Sequence, residues 1–133
     1  MALTSDRPHR QSFDVEGIAH GAPIPFGARV GNMVFSSGIM GVDPSTGKLA
    51  DDLEGQVHFA FANLERLLAK AGGDLGDVGH VGVLVAEEGF RSAVNVEWLR
   101  AFPDPASRPA RHTTVTPLRG GMLVQLEIIA VLK

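Results

Sequence analysis

Asp51-Asp52-Leu53-Glu54-Gly55-Gln56-Val57-His58-Phe59-Ala60-Phe61-Ala62-Asn63-Leu64-Glu65-Arg66-Leu67-Leu68-Ala69-Lys70-Ala71-Gly72-Gly73 is the stretch on which the fold turns. Val57, Phe61, Leu64, Leu68 and Ala71 recur at alternating steps of four and three, with Ala60 and Leu67 widening the stripe, which predicts an amphipathic helix. Asp51 as N-cap with Glu54 three residues on has capping-box spacing, and Gly72-Gly73 supplies the stop. Directly after it, Val78-Gly79-His80-Val81-Gly82-Val83-Leu84-Val85 is a short, mostly apolar, β-branched run suited to a central strand. A second helix is predicted from about Gly89 to Phe102, with Val94, Trp98, Leu99 and Phe102 inward, Asn95 near that stripe, and Pro103 ending it.

On the N-terminal side, residues 1–12 are polar and read as a flexible segment, leaving 13–133 as a single domain. Phe13, Val15 and Ile18 begin a short edge strand, which the two prolines of Gly21-Ala22-Pro23-Ile24-Pro25-Phe26-Gly27 interrupt. Ala28-Arg29-Val30 and Met33-Val34-Phe35-Ser36-Ser37 flank Gly31-Asn32 as a hairpin, and Gly38 to Leu49 reads as a loop with a tight turn at Asp43 to Gly47. On the C-terminal side, a connector with three prolines runs from Phe102 to Pro109. A strand from Arg111 to Thr116, a Gly120-Gly121 turn and the longest strand, Met122 to Leu132, follow. Strands, helix, strand, helix, strands is the order of an α+β domain with one mixed sheet and two helices on one face.

A length of 133 residues suits one domain, and 44% hydrophobic with 20% charged residues is ordinary globular composition. A formal net charge of -3 argues against a polyanion partner, so no nucleic acid is expected. Without cysteine there is no disulfide, no thiolate zinc site and no cysteine nucleophile. The opening residues lack the apolar run of a signal peptide, and no 18 consecutive residues are apolar, so the expectation is a cytoplasmic protein with no membrane partner.

Gly41-Val42-Asp43-Pro44-Ser45-Thr46-Gly47-Lys48-Leu49 has one residue too many between its glycines for a phosphate loop and leucine where a magnesium-binding hydroxyl is needed. His9, His20, His58, His80 and His112 lie on five segments without ligand spacing, so no metal site is expected. Phe35-Ser36-Ser37-Gly38 is not a nucleophile elbow, although small hydroxyls beside a glycine let backbone approach a ligand. Arg108-Pro109-Ala110-Arg111-His112-Thr113 sets an arginine at the start of a strand just after a stiffened connector. Such a fork either grips a ligand carboxylate or pairs with an internal acid. Period two puts Thr113 beside Arg111 and His112 on the other face. In the last strand Met122, Val124, Leu126, Ile128 and Ala130 share one face, while Gln125 and Glu127 lie on the other with Leu123, Ile129 and Val131. That second face is either an exposed polar patch or an interface and site wall.

Taken in order, Ala22-Pro23-Ile24-Pro25-Phe26, Val34-Phe35-Ser36-Ser37-Gly38, Asp43-Pro44-Ser45-Thr46-Gly47, Gln56, Asn63-Leu64, Ala71-Gly72, Asp77-Val78, Val94-Asn95, Pro109-Ala110-Arg111 and Leu126-Glu127-Ile128-Ile129-Ala130-Val131 resemble the RidA/YjgF family of reactive-intermediate deaminases. The resemblance implies a chorismate-mutase-like subunit in a homotrimer with a central β-barrel, helices outside and pockets between subunits. It also implies hydrolysis of 2-imino and 2-enamino acids to 2-keto acids and ammonia without a cofactor. Carried over, Arg111 is the carboxylate clamp, and Ser37, Gly38, Thr113, Asn95 and Phe26 line the substrate. Arg111, Gln125 and Glu127 are the catalytic candidates, Glu127 as a replacement for the carboxylate that the family has where this chain has Gln125.

The chain departs from the family at Phe26, where tyrosine is usual, at Ile39 for glutamine, at Thr113 for cysteine or a small residue, and at Gln125 for glutamate. His112 also replaces a small residue. An amide can hold a water but is neither acid nor base, and Glu127, about 6 to 7 Å along the strand, is the nearest carboxylate on that face. Phe26 and Ile39 in place of polar groups predict a substrate with a larger or less polar side chain. The alternative is a non-catalytic trimer that binds a small carboxylate.

Overall fold

The computed structural model describes residues 9–133. Its sheet opens with an antiparallel meander of β1 (Arg10–Phe13), β2 (Gly27–Val30) and β3 (Met33–Ser36), in which Val30 pairs with Met33 across Gly31-Asn32. Gly31 has φ 61°, the left-handed conformation this turn requires at its first position. β1 starts at Arg10, ahead of the predicted Phe13 and inside the segment expected to be flexible. Residues 1–8 of that segment lie outside the described residues. Val15 and Ile18, expected on the first strand, follow it as buried core residues.

The predicted loop from Gly38 to Leu49 instead holds three short strands, β4 (Ile39–Met40), β5 (Val42–Asp43) and β6 (Lys48–Leu49). β4 joins the main sheet and β5 pairs with β6 around the predicted turn, where the Gly47 amide donates to the Asp43 carbonyl at 2.8 Å. Two-residue strands are too short to show a period, so only pairing defines them.

Helix α1 (Leu53–Ala71) is capped by Asp52, not Asp51, with its carboxylate accepting the Gly55 amide at 2.8 Å. The shift puts a glycine where the capping-box glutamate was expected, so the cap is one-sided. Gly72, at φ 90°, ends the helix as predicted. β7 (Val78–Val85), α2 (Arg91–Ala101) and β8 (Ala110–Val115) form a βαβ unit, with β7 and β8 parallel. A short 3₁₀ turn, Glu88–Phe90, takes up the start of the predicted second helix. β9 (Val124–Val131) closes the sheet in the order β1-β2-β3-β9-β7-β8, with β4 also on β9.

Period-two alternation turns Val34, Val81, Val83, Val85, Val124, Leu126, Ile128 and Ala130 toward the helices, where they meet Phe61, Leu64, Leu67 and Leu68 of α1. The buried stripe of α2 is Val94 and Trp98, continued by Phe102; Leu99, expected inward, is 51% exposed because it stands about 100° round the helix from Trp98. Among the described residues no helix covers the other face of the sheet. Met33, Ile129 and Val131 are exposed there, on the same side as Gln125 and Glu127.

Two buried polar side chains of α1 fasten the β4 to β6 segment. Asn63 Nδ2 donates to the carbonyls of Met40 and Val42 at 3.0 and 2.8 Å. Gln56 donates to those of Ala50 and Gly121 and accepts the Leu123 amide. Gly41 is required beside them, since a Cβ there would collide with the backbone of Gln56. Asn63→Ala leaves two carbonyls without their donor and is expected to cost about 1 to 3 kcal/mol, read as a lower denaturant midpoint. An unchanged midpoint would mean that water replaces the amide.

Candidate functional site

Arg111 pairs in register with buried Val81, so it projects on the helix side of β8, an edge strand, and reaches α2. Its Nη1 donates to Asn95 Oδ1 at 2.8 Å, its Nε donates to Thr113 Oγ1 at 3.0 Å, and its Cζ lies 5.0 Å from the centre of the Trp98 ring. The connector before it is held by Arg108, whose Nε donates to the Phe102 carbonyl at 2.8 Å. Three predicted site residues, Arg111, Thr113 and Asn95, therefore meet. Trp98, predicted only as core, also serves as a platform for the guanidinium.

No acid among the described residues claims this arginine. Among the described residues the ion pairs are those of Arg91 with Glu88, Arg100 with Glu65 and Glu97, His58 with Glu97, and Lys133 with Asp74 and Asp77. Burial is the main cause that lowers the proton affinity of Arg111, and the neighbouring charge of Arg91 lowers it further. Two of its five N–H donors go to neutral oxygens, so both terminal nitrogens keep a donor for an anion. Thr113 accepts from the arginine and keeps its own hydroxyl proton to give.

Gln125 and Glu127 are elsewhere. Gln125 pairs with Leu84 and Met40 and Glu127 with Gly82, on the face away from the helices. Gln125 lies over Gly38, where any Cβ would displace its amide, and Glu127 lies over Gly82. Within the chain, therefore, Arg111, Asn95 and Thr113 form a cationic group on one face of the sheet, and Gln125 with Gly38 an amide group on the other.

The remaining predicted contacts change. Ser37 gives its hydroxyl proton to the Pro25 carbonyl at 2.7 Å and its amide to Phe26, so it is a structural donor with only lone pairs left for a ligand. Ser36 accepts the Ile128 amide and bridges β3 to β9. Phe26, expected against the substrate, is 1% exposed, with its ring stacked on His20. Ile39 is fully buried as well. Neither ring nor branch is free to select a less polar substrate, because the core absorbs both. A concavity of about 560 Å³ between the start of α1 and that of α2, lined by Leu53, Phe90, Ala93 and Val96 among others, contains none of the predicted site residues. Among the described residues no three acidic or histidine side chains cluster to hold a metal, and no helix is long and apolar enough to cross a membrane.

The family model described as endoribonuclease L-PSP matches residues 22–132, from the turn before β2 to the end of β9. The chain belongs to this family, that of RidA and YjgF. It is 32% identical over 111 residues to the 2-iminobutanoate/2-iminopropanoate deaminase of Salmonella typhimurium, an alignment covering 82% of this chain and 87% of that one. It is 31% identical over 116 residues to a RutC family protein of Aquifex aeolicus, covering 83% and 93%. The crystal structure of RidA from an Antarctic Psychrobacter superposes with a TM-score of 0.85 at 26% identity, covering 92% of this chain and 99% of the other. The mixed α+β fold with two helices and a sheet is therefore a RidA fold. The name of the Salmonella relative supports the deaminase reading in its general form.

Proposed function

We propose that this protein is a cytoplasmic, cofactor-independent deaminase that hydrolyses small 2-imino or 2-enamino acids to 2-keto acids and ammonia, working as a homotrimer with its sites between subunits. The observation that carries the reading is Arg111: a half-buried guanidinium positioned by Asn95, Thr113 and Trp98, with no carboxylate partner among the described residues. An arginine held this way is prepared for the carboxylate of a small acid. Thr113 offers a hydroxyl beside it. Gln125, from a second copy, holds the water that adds to the imine carbon while Gly38 leaves it room.

Two features support the trimer. The helix-free face exposes Met33, Ile129 and Val131, which a second copy would cover. The cationic and amide groups also lie on opposite faces of one sheet, so joining them in one site takes two chains. Gln125 favours a second reading, a trimer that binds a small carboxylate without turnover, since the amide moves no proton. Light scattering together with decay of an imino acid generated in solution by an amino-acid oxidase tests both. The expected result is three times the chain mass and faster decay. A monomer without acceleration overturns the proposal, and a trimer that binds keto acids without acceleration selects the second reading.

A further inference from the structure

Arg91 opens α2 one turn before Asn95, with Trp98 three residues beyond, so the three share a helical stripe. That stripe faces Arg111, because Asn95 holds its Nη1 and Trp98 lies under its guanidinium. A second guanidinium thus stems from one helical turn before the Asn95 contact, near enough for its charge to act on Arg111. The Nε of Arg91 donates to Glu88 at 2.6 Å, an i,i+3 pair whose acidic side chain is 73% exposed. Exposed pairs of this kind hold weakly and open readily to water or to another anion. Among the described residues the terminal nitrogens of Arg91 have no protein partner, and each terminal nitrogen of Arg111 keeps a donor as well.

Two like charges set side by side are unfavourable until an anion enters between them. The charge of Arg91 already adds to burial in lowering the proton affinity of Arg111. A single carboxylate occupies one fork and leaves the other on its exposed glutamate. A molecule with two carboxylates occupies both.

We propose that Arg91 is a specificity-determining residue of this site, and that the preferred substrates are 2-imino acids with a second carboxylate on the side chain. The α-carboxylate sits on Arg111 and the side-chain carboxylate takes the place of Glu88 on Arg91. The inference rests on the deaminase reading and deepens it. Burial of Phe26 and Ile39 removes the one sequence argument for an apolar side chain. The chemistry is hydrolysis alone: water forms a C–O bond at the protonated imine carbon, the C=N pair moves to nitrogen, and the C–N bond breaks. One proton of the water passes to that nitrogen; the hydroxyl left on carbon then gives up the other as its oxygen closes the C=O bond and expels ammonia, so protonated imine and water become keto acid and ammonium, and nothing is oxidised or reduced.

The test is calorimetric binding of 2-oxoglutarate and oxaloacetate against pyruvate and 2-oxobutanoate, with the intact assembly. The unaltered protein is expected to bind the dicarboxylates at least about tenfold more tightly. Arg91→Ala is expected to remove that advantage while weakening pyruvate less than about threefold, the loss of a screened charge rather than a contact. Glu88→Gln is expected to strengthen dicarboxylate binding, because the competing acid is gone. Equal weakening of both classes by Arg91→Ala, or no preference in the unaltered protein, overturns the role of Arg91. If Arg111→Ala leaves all four ligands bound as before, the underlying site is wrong and not just its specificity.

Discussion

Arg111→Ala is expected to weaken binding of small 2-keto acids about ten- to a hundredfold or more, in a protein that stays folded. A bond between a charged donor and a charged acceptor contributes about 1.5 to 3 kcal/mol, and each 1.4 kcal/mol is a factor of about ten. The fold barely depends on this side chain: its partners are neutral, it has no ion pair among the described residues, and burial already disfavours its charge. What alanine gives up is the contact with Trp98 and two hydrogen bonds to groups that water can reach, about 1 kcal/mol of stability. Titration calorimetry beside thermal unfolding separates the roles. A steep fall in melting temperature with binding intact per folded molecule would make Arg111 a structural residue. Arg111→Lys is expected to recover only part of the affinity, because an ammonium cannot place two donors on one carboxylate.

Gln125→Glu is expected to raise hydrolysis of the smallest imino acids by about 10² to 10⁴, the usual worth of a positioned acid or base. Addition of water needs a proton acceptor and departure of ammonia needs a donor. A carboxylate does both in turn, whereas the amide does neither. The exchange is nearly isosteric, so the side chain keeps its place over Gly38, where no Cβ competes for the space. Initial rates on imine formed in solution, compared with the uncatalysed decay, measure the effect. A slower variant would show that the amide orients the water and that another group, Glu127 or a bound water, carries the proton. If neither form turns over imine while keto acids still bind at Arg111, the protein is a binding module.

Much of this was legible because the signals are local. The stripe from Val57 to Ala71 needs only the 3.6-residue period, and α1 follows it to within a cap residue. β7 matches its predicted bounds because turn residues fence a β-branched run. The alternation around Arg111 placed Thr113 beside it, and the proline connector announced an arginine with a fixed origin. Short strands inside the predicted loop were not legible, since β4 exists only by pairing with β9. Nor was the place of Arg91 on the stripe that faces Arg111, which exists only once α2 is laid across β8.

Element order, the α+β class, the apolar face of β9 and an arginine at the start of a strand all follow from the chain alone. Each depends on spacing along the chain, which propensity and side-chain period control directly. The tertiary structure alone decided which predicted residues are accessible and which meet. Phe26 and Ile39 went into the core, Ser37 gave its proton to Pro25, and Gln125 and Glu127 came out on the face opposite Arg111. The physical reason is that period two says only that residues on one strand share a face. Which face of each strand meets the helices is settled by pairing across the sheet, between residues far apart in the chain.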